Sequence, residues 1–250
     1  MHGPSETVPP WGYPRGVFLV AFTEFWERFS YWGLMAIFVL FLTADADRGG
    51  FGWQHPDAIR LYGVYVGAAF VGPLFGGWIA NNYWGERRCI LIGGWLIVAG
   101  HLCLAGPAAV PALASHILSV DVKAIWSAAG VPLGHWSLSV EQWQQLNAAA
   151  SRHGMSATMV QTIYRAVSST FMGGLVLILI GTGLIKPTIS SIVSHFYQPG
   201  DRRREAAFGM FFVAVYVGCI FGTFVVGYLG ERVAWHWGFS AAAIGMMLSL

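Results

Sequence analysis

Charge is what this sequence has least of. Only 10% of its 250 residues are Asp, Glu, Lys or Arg, against roughly 25% in soluble domains. A soluble chain that is 56% hydrophobic would expose a sticky surface, so lipid is the implied solvent. Fourteen basic against twelve acidic side chains leave a net charge of +2. That is too little to suggest nucleic acid, and no RNA- or DNA-binding motif is present. The three cysteines, Cys89, Cys103 and Cys219, are scattered through apolar segments. An odd count without metal spacing builds neither a disulfide framework nor a metal site, so they read as small packing residues. The eight histidines are equally dispersed. His101, inside an apolar run, reads as a satisfied interior histidine before a proton relay. No Ser/His/Asp or metal constellation points to an enzyme, and no cofactor is implied.

Long apolar runs are abundant instead. Six spans can be read, at about 16–42, 59–80, 89–106, 168–196, 207–229 and 235–250. The sixth has only about 16 residues before Leu250, short of the roughly 20 a bilayer needs, so the end reads as a truncation. Residues 1–15, with Pro4, Pro9, Pro10 and Pro14, read as a loop-like lead-in. They lack the basic start and small-residue cleavage site of a signal peptide. Basic residues set the orientation. The clusters Arg87-Arg88 and Arg202-Arg203-Arg204 lie in short loops, whereas Lys123, Arg152 and Arg165 share one long segment where the positive-inside rule is weak. The N-terminus is therefore expected in the cytoplasm. Between the third and fourth spans lies a long extracytoplasmic insertion, about 107–167. It is punctuated by Pro107, Pro111 and Pro132, with a short polar helix over 139–151.

The first span carries charge where charge is expensive. Glu24, Glu27, Arg28 and Tyr31 fall within a sector of about 100° on one helix face. Ionisable residues at membrane depth cost several kcal/mol, and they usually face a polar interior and act there. Two acids, a base and a phenol suit moving a proton and holding an ionised solute. Lys186 is a second intramembrane cation, beside Pro187. A buried lysine keeps its charge only near a carboxylate or an anionic solute.

Four motifs carry a family resemblance, and a fifth a resemblance to the superfamily. Glu24-Phe25-Trp26-Glu27-Arg28-Phe29-Ser30-Tyr31 resembles the first-helix signature of the proton-dependent oligopeptide transporters of the major facilitator superfamily. Gly181-Thr182-Gly183-Leu184-Ile185-Lys186-Pro187 resembles their second signature. Weaker matches are Ala207-Phe208 and His236-Trp237-Gly238-Phe239. The turn from Gly76-Gly77 to Arg87-Arg88 resembles the loop between the second and third helices of major facilitators, with Asn81 where Asp is usual. The resemblance implies an all-α membrane protein, the N-terminal six-helix bundle of a two-bundle carrier. The expected function is proton-coupled symport of di- and tripeptides by alternating access. Its partners would be short peptides, protons, lipid and a missing C-terminal bundle. A bacterial inner membrane is the expected location.

In that family reading, Glu24, Glu27, Arg28 and Lys186 couple the proton. Arg28 and Lys186 hold the peptide carboxylate, aided by Tyr31. Gly76 and Gly77 serve close packing, and Gly181, Gly183 and Pro187 let the fourth span bend during gating. The polar lining departs from the family: Trp32 replaces a second tyrosine, Phe70 a cavity tyrosine and Tyr216 an asparagine. Phe70 cannot hydrogen-bond and Trp32 can only donate. These positions are still expected to line the substrate site, for a narrower or more apolar cargo. Two rival readings follow: a proton-coupled carrier of another organic anion or drug-like solute, and a non-transporting binding or scaffold protein or inactive remnant.

Overall fold

A computed structural model describes residues 14–118, 121–197 and 203–250. Most of the expected lead-in, residues 1–13, and Arg202 of the basic cluster lie outside the described residues. Helix starts directly after Pro14, as α1 (Arg15–Thr43). The end of a helix leaves carbonyls without partners. Here the chain doubles back to meet them: Phe51 N–H donates to Phe41 O at 3.1 Å and Trp53 N–H to Leu42 O at 2.7 Å. Gly49 and Gly52, at φ 77° and 66°, make that reversal possible.

Next comes α2 (His55–Ile79), with a proline in its first turn where a missing N–H costs little. It widens into a π turn over Ala80–Trp84, closed by Gly85 donating to Ala80 O. Then follow α3 (Glu86–Leu118), α4 (Val122–Ala129), α5 (Val140–Arg152) and α6 (Ala157–His195). The last part is α7 (Arg203–Tyr228), a second π turn over Leu229–Val233, and α8 (Trp235–Leu248). Both π turns carry the pattern Tyr-x-Gly-Glu-Arg, at Tyr83 to Arg87 and at Tyr228 to Arg232. The packing repeats as well: α1 against α7 corresponds to α6 against α2, and α1 against α8 to α6 against α3. The bundle is thus two three-helix repeats, α1–α3 and α6–α8, the internal symmetry typical of transporter folds.

Five of these helices, α1, α2, α3, α6 and α7, are long and apolar enough to cross a membrane. α8 covers the sixth expected span over 14 residues. The expected insertion is shorter than 107–167. α3 runs on through Pro107 and Pro111 to Leu118, and α6 begins at Ala157. Proline forfeits a hydrogen bond within a helix but does not end one that its neighbours hold in place. What remains is α4, capped by Asp121 accepting from Ala124 N–H at 3.1 Å, and α5. Ser139 and Gln142 form a reciprocal capping box on α5, at the place where a short polar helix was expected.

Small residues set the helix separations, as expected where lipid offers no hydrophobic drive between helices. A Cβ on Gly76 would collide with the Gly183 carbonyl of α6, and one on Gly222 with the Phe29 carbonyl of α1. At one end of the bundle, Phe41 meets Phe51 at 4.4 Å and Phe239 at 5.1 Å, and Phe51 meets Phe171 at 5.0 Å. These rings tie α1, α6 and α8 together. By contrast, only 22% of the most apolar window of α2 and of α7 is buried. Both helices turn large apolar side chains outward, among them Leu74, Phe75, Val213 and Phe224.

The close approach of α2 and α6 has a measurable consequence. Gly76→Ala is expected to lower stability by about 1–3 kcal/mol, the usual cost of overpacking. Gly63→Ala, where a Cβ meets open space, is expected to leave it unchanged. Thermal unfolding of the two purified variants checks the pair.

Candidate functional site

The first-span charges converge as the sequence predicts. Arg28 lies between two acids on α1. Its Nε is 2.9 Å from Glu24 Oε1, and its Nη2 pairs with Glu27 Oε2. Glu24 is 7% exposed and Glu27 1%, so the triad sits inside the bundle. α7 can cover it because Gly218 has no side chain. A Cβ there would press on the Phe25 carbonyl and stand 3.2 Å from Arg28 Cβ. Buried charges survive only when paired, and the i,i+4 spacing of Glu24 and Arg28 supplies one pair from within a single helix.

Lys186 reaches the same place from α6. Its Nζ lies 4.7 Å from the centre of the Tyr31 ring and 5.5 Å from that of Phe70 on α2. The Arg28 guanidinium lies 5.6 Å from the Tyr31 ring. One phenol thus stands between two cations, each attracted to the ring's negative face. Lys186 is also within electrostatic reach of Glu24, Glu27 and Arg28. Pro187 has no N–H for the Gly183 carbonyl one turn back. The Gly76 backbone packs on that carbonyl, Gly77 faces the Pro187 ring, and Thr188 Oγ1 donates to Leu184 O and Ile185 O at 2.9 and 2.7 Å.

Glu24, Glu27, Arg28, Tyr31, Phe70 and Lys186 therefore form one cluster. Trp32 is exposed, and its ring stands 5.9 Å from that of Tyr31, edge to face. Tyr216 is exposed on α7, and no hydrogen bond, ion pair or ring contact ties it to the cluster among the described residues. Gly181 and Gly183 pack against α3 and α2: a Cβ on Gly181 would strike the Gly93 carbonyl, and one on Gly183 would stand 3.1 Å from Gly72 O. Replacing them by alanine would therefore disturb packing before it reported on bending.

Two residues escape the sequence reading, and a third contact revises it. Tyr65 of α2 is buried beside Tyr31 and Glu27. Cys219 of α7 lies within the field of the triad, next to the glycine that admits it. Ser30, on the opposite side of α1, hydrogen-bonds His101 of α3 at 2.7 Å with both residues buried. The His101 Nδ1 atom has no hydrogen-bond partner among the described residues, so this histidine is only half satisfied. Tyr65 and Cys219 carry no charge, and nothing in their own segments marks them. Only the pairing of helices brings them to the site.

The POT family model (PTR2) matches residues 87–250. A di-/tripeptide transporter of Lactococcus lactis subsp. lactis is 32% identical over 241 residues, 96% of this chain and 37% of its own length. The uncharacterized transporter YclF of Bacillus subtilis is 30% identical over 239 residues, with the same coverage. The crystal structure of a mutant peptide transporter POT in complex with alafosfalin superposes with a TM-score of 0.70 at 30% identity. That match covers 98% of this chain and 38% of the other. The chain thus spans little more than a third of the length of the relatives it matches.

The triad predicts a non-additive response to mutation. Glu27→Ala leaves Arg28 with one carboxylate in a buried site and is expected to cost about 3–5 kcal/mol. The double variant Glu27→Ala/Arg28→Ala is expected to recover part of that loss, because the uncompensated charge goes with it. Unfolding midpoints of the two single variants and the double variant check the cycle. Additive losses would mean that the two groups do not act as a pair.

Proposed function

Because the chain belongs to the POT family, we propose that it supplies the N-terminal six-helix part of a proton-coupled symporter for di- and tripeptides. The observation that carries this reading is the charge balance of the buried cluster. Two carboxylates, one guanidinium and one ammonium meet at Glu24, Glu27, Arg28 and Lys186. With both acids ionised their formal charges cancel. A peptide carboxylate entering such a site brings one uncompensated negative charge, which is costly in a low-dielectric interior. A proton on either acid restores neutrality and frees a cation for the peptide. Substrate and proton then strengthen each other's binding, which is the thermodynamic content of coupling.

The division of labour follows from side-chain chemistry. Arg28 offers a planar fork suited to a carboxylate, and Lys186 a mobile point charge. Tyr31 holds both cations in place and offers a hydroxyl to the peptide. The acids are assigned the proton jointly, since strongly interacting groups titrate as a pair. The outward apolar faces of α2 and α7 are assigned to lipid and to a C-terminal bundle. That bundle rocks against this one and receives the peptide's amino terminus. The N-terminus lies in the cytoplasm, with the dense arginine clusters, in a bacterial inner membrane.

One observation favours a second cargo. Beside Tyr31, the second ring over Lys186 is Phe70, which cannot bond a peptide backbone, and Tyr216 stands outside the cluster. An organic anion with less backbone to satisfy would fit the same cations.

Uptake of a labelled dipeptide into proteoliposomes under an inward proton gradient tests the reading. Wild type is expected to accumulate the peptide, and Lys186→Gln to lose accumulation at least tenfold. Glu24→Gln/Glu27→Gln is expected to keep peptide exchange without a gradient response. Inhibition of wild-type uptake by other carboxylates but by no dipeptide would favour the second cargo.

A further inference from the structure

A second cavity lies outside the cluster, between α6 and the segment that precedes α5. Its volume is about 550 Å³, and its walls include Trp136, Trp143, Tyr164, Arg165, Ser168 and Met172. That is room for a small peptide. From the geometry we infer that this cavity is an outer recognition site, which captures a carboxylate-bearing solute with an apolar side chain before it reaches Lys186. The inference rests on the peptide reading given above.

The cavity is built into the fold rather than left by a loose loop. Trp53 Nε1 donates to Leu133 O at 2.6 Å, and Leu133 N–H donates to Phe51 O at 2.7 Å. Tyr164 Oη donates to His135 O at 3.1 Å. The His135 ring lies 4.7 Å from Trp53 and 4.2 Å from Trp136, with Nε2 3.8 Å from Asp57. These contacts tie one wall to the end of α1, to the start of α2 and to α6 at once.

The lining chemistry selects the ligand. Ser168 Oγ donates to Tyr164 O and Tyr164 Oη to His135 O, so those protons are already committed. Arg165 is exposed and makes no ion pair among the described residues. It is therefore the cation available to a carboxylate. Trp136, half exposed, and Trp143, which packs on Tyr164 at 5.1 Å, offer apolar faces and indole N–H donors to the rest of the solute. The position selects the role. Ser168 and Lys186 are about five helical turns apart on one face of α6, a separation of roughly 27 Å. Met172, Leu179 and Thr182 fall along the same stripe, at the periodicity of a single helix face. The cavity and Lys186 therefore share one face of α6, the cavity lying toward its start.

The test uses the protein as its gene encodes it, held in lipid nanodiscs of neutral phosphatidylcholine. The probe is a dipeptide carrying p-benzoylphenylalanine. After irradiation, labelled peptides are mapped by mass spectrometry, and uptake of the same dipeptide is measured in proteoliposomes. Two labelled regions are expected: one around Tyr31, Phe70 and Lys186, and one within residues 136–172. Lys186→Gln is expected to remove the inner label and keep the outer. Arg165→Gln is expected to remove the outer label and keep the inner, and to raise KM about tenfold at unchanged kcat, the weight of one charge-assisted contact. Arg165→Lys is expected to restore part of the outer label. Inner labelling and uptake without outer labelling would overturn this inference alone. So would outer labelling that Arg165→Gln leaves intact, or that phosphatidylglycerol displaces and excess unlabelled dipeptide does not. The last result would assign the cavity to lipid. Absence of both labels together with absence of uptake would overturn the peptide reading, and this inference with it.

Discussion

The ion triad of Glu24, Arg28 and Glu27 is the constraint around which this bundle is arranged. Three charges on one turn of a membrane helix are tolerable only if they satisfy each other and are shielded from lipid. The shielding comes from α7, and α7 comes close enough because Gly218 and Gly222 present backbone to Phe25 and Phe29. The same need recurs in the second repeat. Lys186 of α6 is brought in by α2, whose approach rests on Gly76 against Gly183. Each repeat therefore contributes charge through its first helix and coverage through the second helix of the other.

The proposed proton coupling draws on the same arrangement. The cluster is balanced when both acids are ionised, and the Tyr31 ring centre lies 5.6 Å from the Arg28 guanidinium and 4.7 Å from Lys186 Nζ. Changing the charge of one member upsets that balance, and a charge of opposite sign on a ligand can restore it. Pro187 adds a local weakness at the same level, since it offers the Gly183 carbonyl no N–H, and the Gly76 backbone of α2 packs on that carbonyl. The coupling of α2 to α6 and the chemistry of Lys186 are thus neighbours in the structure.

Much of this was legible in the sequence, for a physical reason. Charge inside an apolar run is conspicuous, so Glu24, Glu27, Arg28 and Lys186 stand out without any structure, and their helix face follows from the spacing of the residues. The convergence of Arg28 and Lys186 on Tyr31 rested on family resemblance, because no local pattern reveals which helices touch. The neutral neighbours Tyr65 and Cys219 were not legible as site residues at all. A buried hydroxyl or thiol looks like packing until its neighbours are known. The reach of α3 through Pro107 and Pro111 was misjudged because proline ends helices in water more readily than in a bundle that supports them. Trp32, Phe70 and Tyr216 were assigned to the lining by family resemblance; all three are exposed in this bundle, Phe70 beside Lys186 and Trp32 beside Tyr31.

The most direct test of the central claim is the number of protons taken up when a dipeptide binds. It is obtained by titration calorimetry of the purified protein in buffers of different ionisation enthalpy. The account predicts uptake of close to one proton per bound peptide, because a neutral cluster accepts a carboxylate only together with a compensating charge. Binding with no change in proton number would contradict it and would leave the triad a structural fastening of α1.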